Sequence, residues 1–262
     1  MRIIDLTENH QDTYFVCLED WSEPIVRAIE LKREWYGKMK DKGLRVKLAV
    51  DDSGVVGGMI HYLPIERSIV EGRDLYFIPC IWVHGHKQGR GDFTRQGMGT
   101  ALLKAAEEDI MSLGSKGIVA WGMAFPGWNE ASWYTRHGYE EVDRNGPWSL
   151  VWKPLAGDAV APRWIRGQKT PPQVAGKVTV TAFLNGWCPA YNMVYEGARR
   201  ASAEFGDRVV YRTIDTFDRE AVREWGISDG VFIDGESLQE GPPPSYDEIR
   251  DKIASRVREL GC

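Results

Sequence analysis

Between residues 95 and 103 the chain reads Arg95-Gln96-Gly97-Met98-Gly99-Thr100-Ala101-Leu102-Leu103, a run that suits phosphate chemistry. A helix N-terminus carries about half a positive charge and several unsatisfied N–H groups. Glycines at 97 and 99 remove side chains, so those groups can approach a pyrophosphate closely. Residues 84–104 hold Lys87, Arg90, Arg95 and Lys104 against the lone acid Asp92, a local excess in a chain of formal charge −5. A phosphate-bearing ligand is the natural reading, and a plain structural turn is its alternative. A dinucleotide fingerprint would need glycine at 102, where Leu102 stands, and no phosphate loop of the GxxxxGK[ST] type occurs. Glu66 and His84, at expected strand ends, are candidate general bases. His84, His86 and Cys80 lack a clear third ligand at metal spacing, so no metal is expected.

The elements that must position these groups follow from hydropathy. Residues 2–7 read as a short strand, and residues 23–43 as an amphipathic helix with Ile25, Ala28, Ile29, Trp35 and Tyr36 near helical spacing. Residues 45–65 read as a hairpin turned at Asp52-Ser53-Gly54, and residues 74–85 as a buried strand. A helix follows from Gly97, with Leu102, Leu103, Ala106 and Ile110 on one face and Gly114 as its stop. Strand, short helix and two strands then complete an α/β layer built on one sheet. Residues 154–176, with four prolines and three glycines, read as a linker, and Trp164 within it should pack against a domain. From 177 to 262 the pattern is βαβαβα. The expected organisation is therefore a domain over 1–153, a linker over 154–176 and a second, smaller domain over 177–262.

The segment Ile81-Trp82-Val83-His84 followed by Arg95-Gln96-Gly97-Met98-Gly99-Thr100 resembles motif A of the GNAT superfamily of N-acetyltransferases. Asn129 through Tyr139 resembles motif B, with Tyr134 and Gly138-Tyr139 at the family's Tyr-x-x-x-Gly-Phe spacing. The sequence departs from the family in having Thr94 at the first position of the signature, a longer loop after the strand, and Asn129 two residues nearer than usual. The resemblance implies a GNAT-like mixed sheet and acetyl-CoA as co-substrate, bound by Trp82, Val83, Arg95, Gln96, Gly97, Met98, Gly99, Thr100 and Asn129. It also implies that the backbone N–H groups of Trp82 and Val83 face the acyl carbonyl and that Tyr134 protonates the leaving sulfur. A Tyr134 merely packed in a core helix is the alternative.

Trp187-Cys188-Pro189-Ala190-Tyr191, at a strand-to-helix turn, resembles the thioredoxin-like fold, as does the segment 226–235. The family's second cysteine is Tyr191 here, and Asp229-Gly230 replaces its proline. A helix N-terminus would lower the Cys188 pKa, but dithiol exchange needs a resolving thiol, and Cys262 lies at a chain end. The fusion of the two domains resembles the YoaP-type bacterial acetyltransferases.

Acidic composition, with a pI near 5.6, argues against a nucleic-acid partner. No apolar run suggests a membrane span, and the acid-containing N-terminus is unlike a secretory signal, so a cytoplasmic protein is expected. The reading is an acetyltransferase acting on a small-molecule amine by direct transfer, with a homodimer left open. A thiol-redox protein using Cys188 and a non-catalytic acyl-CoA sensor are the alternatives.

Overall fold

The computed structural model describes residues 1–125, 129–167, 169–238 and 242–260; Cys262 lies outside them. In chain order the first elements are β1 (Arg2–Asp5), α1 (Gln11–Phe15), α2 (Glu23–Arg27), α3 (Ile29–Met39), β2 (Arg45–Val50) and β3 (Val56–Pro64). Then come β4 (Val70–Glu71), β5 (Leu75–Val83), α4 (Met98–Ser112), β6 (Gly117–Met123) and α5 (Ala131–Thr135). β7 (Glu140–Asn145), β8 (Trp148–Pro154) and β9 (Arg163–Trp164) follow. The last elements are β10 (Val178–Leu184), α6 (Pro189–Ala203), β11 (Val209–Asp215), α7 (Arg219–Trp225), β12 (Gly230–Ile233), β13 (Glu236–Ser237) and α8 (Tyr246–Glu259). The expected helix over 23–43 is broken at Ala28, whose backbone leaves the helical region at the end of α2.

The chain divides into two compact units: Met1–Trp21 with Gly37–Ile165, and Ser22–Tyr36 with Arg166–Cys262. Residues 22–36 thus cluster with the C-terminal part of the chain. The stretch expected to be a linker contains β9, which pairs with β4, and Trp164 is buried there with its backbone N–H donated to Asp143 at 2.8 Å.

The first unit is built on a seven-stranded sheet ordered β1-β2-β3-β5-β6-β8-β7. Its pairs are antiparallel except β5 with β6, which run parallel. The 3.6-residue spacing of Leu102, Leu103, Ala106 and Ile110 lays α4 against Ala49, Ile60 and Ile78 of the sheet. Burying each large aliphatic side chain contributes about 1.5–3 kcal/mol. The helix is also clamped near its C-terminal end: Arg45 donates two hydrogen bonds to Asp109, at 3.0 and 2.8 Å, and Tyr62 a third at 2.5 Å.

The second unit has a four-stranded sheet ordered β11-β10-β12-β13, with β10 and β11 parallel and the other pairs antiparallel. The short strand β13 is an addition to the expected βαβαβα order. α6 and α8 supply Val194, Ala198, Ala201, Ile249 and Ile253 to its core. Ser245 and Glu248 form a reciprocal cap at the start of α8. Ahead of α6, Gly186 adopts φ +101°, and a Cβ there would lie 3.1 Å from the Leu31 carbonyl and 3.2 Å from Trp35. Segment 22–36 therefore packs directly on the loop that leads to Cys188.

At that loop Asp229 is half-buried, accepting from the Trp187 indole at 2.8 Å and the Ser228 hydroxyl at 2.5 Å. Burial pushes its carboxyl up to about 6, against the opposing pull of these hydrogen bonds. A carboxyl pKa raised on folding means that the native state holds the proton longer, so this group's contribution to stability is complete below about pH 4 and is lost as pH rises through about 6. Relative to native protein, Asp229→Asn should lose this decline, worth on the order of 3 kcal/mol across the window. Urea midpoints of both proteins between pH 4 and 7 check it, and parallel profiles would contradict the assignment.

Candidate active site

β5 and β6 pair only from Leu75 with Gly117 to Phe77 with Val119. Beyond that point β5 continues to Val83, held by β3 alone, while β6 follows β8. Pro79 has no N–H to offer across the gap, and its carbonyl instead accepts from the Trp121 indole at 2.7 Å. A wedge opens between the two strands, and α4 starts beside its mouth.

The cleft there has a volume of about 520 Å³, within the range of small-molecule sites. Trp82, Val83, Arg95, Gly97, Met98, Gly99, Thr100 and Asn129 all line it. Gln96 does not: its amide donates to the Asp92 carbonyl at 2.9 Å on the exposed side of the turn. Gly97 is the N-cap of α4 at φ +83°, a left-handed conformation that favours glycine. Gly99 has ordinary helical geometry, and a Cβ there would lie 3.5 Å from Trp133 and 3.8 Å from Val83, so it would occupy the floor of the cleft. The helix starts at Met98, directly after the Gly97 from which it was expected to follow.

Strand alternation sorts the two backbone groups expected at the acyl carbonyl. The His84 N–H donates to the Gly57 carbonyl at 3.0 Å, so His84 and, two residues back, Trp82 point their N–H groups toward β3. The Val83 N–H therefore faces the opening. Trp82 contributes its side chain to the cleft and its backbone to the sheet.

Of the local cations, Arg95 reaches the cleft, joined by Arg136, which sequence reasoning passed over. Arg136 follows α5, within the motif that supplied Tyr134, but a lone cation on a short helix carries no signal of direction. Arg90 is committed elsewhere, donating to Asp20 at 2.9 Å and Thr13 at 3.1 Å. The long loop after β5 is pinned rather than open. Gly85 bridges Asp92, the Phe93 N–H donates to the His84 carbonyl at 2.8 Å, and the Phe93 ring covers Gly57.

Asn129 donates its side-chain amide to the Trp121 carbonyl at 2.9 Å, and its own carbonyl accepts from Met123. Its place in the cleft is thus set by β6. Gly122 permits this close approach, since a Cβ there would lie 2.5 Å from the Ala131 nitrogen.

Tyr134 is only 1% exposed and stays behind the cleft lining, its ring 5.0 Å from Trp133 and 5.5 Å from Tyr139. Burial, with a further contribution from Cys80, pushes its phenol pKa well above the ordinary value. Glu66 accepts from the backbone N–H of Asp74, just before β5 begins. Eight residues of strand separate that end from Val83, roughly 25 Å at the usual rise, so Glu66 does not belong to this site. His84 lies at the correct end, fully buried behind Trp82, and hydrogen-bonds the Gly91 carbonyl through Nδ1 at 2.6 Å.

Nothing in the sequence alone singles out Glu19. It follows the left-handed residues Cys17 and Leu18, which turn the chain after α1. Its carboxylate accepts from the Trp82 indole at 2.9 Å and the Trp21 indole at 2.7 Å, and lies 3.7 Å from His84 Nε2.

No family model matches the chain, and no curated protein does. Among solved structures it is similar to the Paia N-acetyltransferase of Thermoplasma acidophilum in complex with coenzyme A, at 18% identity and a TM-score of 0.43, over 59% of this chain and 100% of that one. It is similar also to the ribosomal-protein-alanine N-acetyltransferase of Brucella melitensis, at 21% identity and TM-score 0.45, over 59% and 100% of the two chains. A GNAT family acetyltransferase of Brucella melitensis in complex with acetyl-CoA matches at 18% identity and TM-score 0.40, over 61% and 90%.

The glycine that lines the floor yields a direct prediction. Gly99→Val should leave the protein folded, because the added atoms project into open cleft, and should abolish acetyl-CoA binding. Calorimetric titration of the variant checks this; native affinity in a folded variant would remove the cleft from consideration.

Proposed function

We propose that the protein is an acetyl-CoA-dependent N-acetyltransferase of the GNAT type that acts on a small-molecule amine by direct transfer. The observation that carries the reading is the wedge between β5 and β6, opening beside a glycine-capped helix start. The cleft offers what a pyrophosphate with a thioester arm needs: free helix N–H groups at Gly97 to Thr100, the cations Arg95 and Arg136, and an unpaired strand edge at Val83. Bound acetyl-CoA would supply an activated acyl group on a thiol leaving group.

In this reading the Val83 N–H polarises the acyl carbonyl. The amine nitrogen forms its bond to the carbonyl carbon as the carbon–sulfur bond breaks. His84 is the candidate for taking the amine's proton, and Tyr134 for returning one to the sulfur. The raised pKa of Tyr134 keeps it in the protonated form at neutral pH, the form a proton donor to the sulfur must have.

The strand order of the second unit, with one parallel and two antiparallel pairs, supports a thioredoxin-like reading for it and the YoaP-type domain combination. Cys188 is the N-cap of α6, and the loop before it meets α3. That favours a contact role for this domain over thiol exchange.

Release of free CoA thiol from acetyl-CoA across a panel of amines tests the activity. Tyr134→Phe should lower kcat by ~10²–10⁴ with acetyl-CoA affinity unchanged. Retention of more than about half of native turnover would make Tyr134 a packing residue, and absence of amine-dependent thiol release across the panel would refute the proposed activity.

A further inference from the structure

The buried cluster around Glu19 is not explained by cofactor binding. Glu19 is 8% exposed, and its carboxylate accepts from the neutral indoles of Trp21 and Trp82. A buried carboxylate held by neutral donors calls for a positive charge. His84 sharpens the point. The Gly91 carbonyl can only accept, so His84 Nδ1 carries the hydrogen and a neutral ring presents a lone pair at Nε2. That atom is buried without a hydrogen-bond partner and faces Glu19 across 3.7 Å. A protonated ring would place its charge within ion-pair range of Glu19, yet the 3.7 Å separation would leave the hydrogen bond unmade. An ammonium group, with three N–H donors and a charge, satisfies the carboxylate and the imidazole together.

We propose that Glu19, Trp21, Trp82 and His84 form a subsite for the ammonium group of an aliphatic amine that bears no α-carboxylate, with Glu19 as its counter-ion. The indole rings beside the carboxylate offer apolar surface to the carbon chain attached to the ammonium. A carboxylate on the same carbon would meet like charge at Glu19, because Arg90 on the neighbouring loop is taken by Asp20 and Thr13. His86 is exposed and its ring lies 5.9 Å from Trp21, 5.5 Å from His84 and 6.4 Å from Trp82. It must swing aside to admit the ligand. Trp82 borders the cofactor cleft as well, so naming this ammonium as the acetyl acceptor rests on the acetyltransferase reading. Binding of the ammonium does not.

The experiment follows the indole Nε1–H resonances of the full chain by NMR during titration with butylamine, with norvaline as its α-carboxylated counterpart and 1-butanol as its uncharged one. Butylamine should shift the Trp21 and Trp82 resonances saturably, and the other two probes should bind at least about tenfold more weakly. Glu19→Gln should lose the butylamine response while its remaining indole resonances stay in their native positions. Equal responses to butylamine and 1-butanol, to butylamine and norvaline, or in native and Glu19→Gln protein would overturn the subsite, and the first two comparisons hold even if the variant fails to fold. Thiol release from acetyl-CoA with butylamine separates the two proposals. Indole shifts without thiol release keep the subsite and refute acetyl transfer to this amine; thiol release with silent indoles refutes the subsite alone.

Discussion

The parting of β5 from β6 after three paired residues is the constraint on which the first unit depends. A parallel pair that continued to Val83 would bury its edge groups in a ladder and close the sheet. Pro79 interrupts that ladder by lacking a donor, and the Trp121 indole takes the Pro79 carbonyl. The gap is thus filled by a side chain near its root and open at its mouth. Every cleft-lining group on β5 lies beyond Pro79.

Around this wedge each neighbour has a definite task. α4 is fixed to the closed part of the sheet by its apolar stripe and by the Arg45–Asp109–Tyr62 clamp. Its N-terminus is therefore held beside the opening instead of drifting with the loop that precedes it. On the far side of the wedge, Gly122 and Asn129 tie the approach to α5 to β6. A site of this kind uses backbone geometry more than reactive side chains. That agrees with a reaction in which the thioester already carries the activation and the protein orients and polarises.

Much of the first unit was legible because its elements follow simple periods. The Leu102–Leu103–Ala106–Ile110 stripe announced α4, the alternation around Asp52-Ser53-Gly54 announced the β2–β3 hairpin, and Gly97 announced the helix cap. What failed depended on contacts distant in sequence. The direction of the Trp82 N–H is set by which residue of β3 it opposes, and a strand read alone has two equivalent phases. Glu66 sits at a strand end as expected, but at the wrong end of β5. Glu19 acquires its interest only from Trp82 and His84, more than sixty residues away. In the same way residues 22–36 read as part of the first domain by position, yet their partners lie near Gly186.

In the proposed reaction the open edge of β5 presents the Val83 N–H to a thioester carbonyl. Backbone amide NMR of the full chain, comparing saturation with CoA and with acetyl-CoA, tests it most directly, since the two ligands differ only in the acyl group. A downfield shift of the Val83 amide proton specific to acetyl-CoA is expected, with the Trp82 amide unmoved. Identical Val83 positions with both ligands would contradict it.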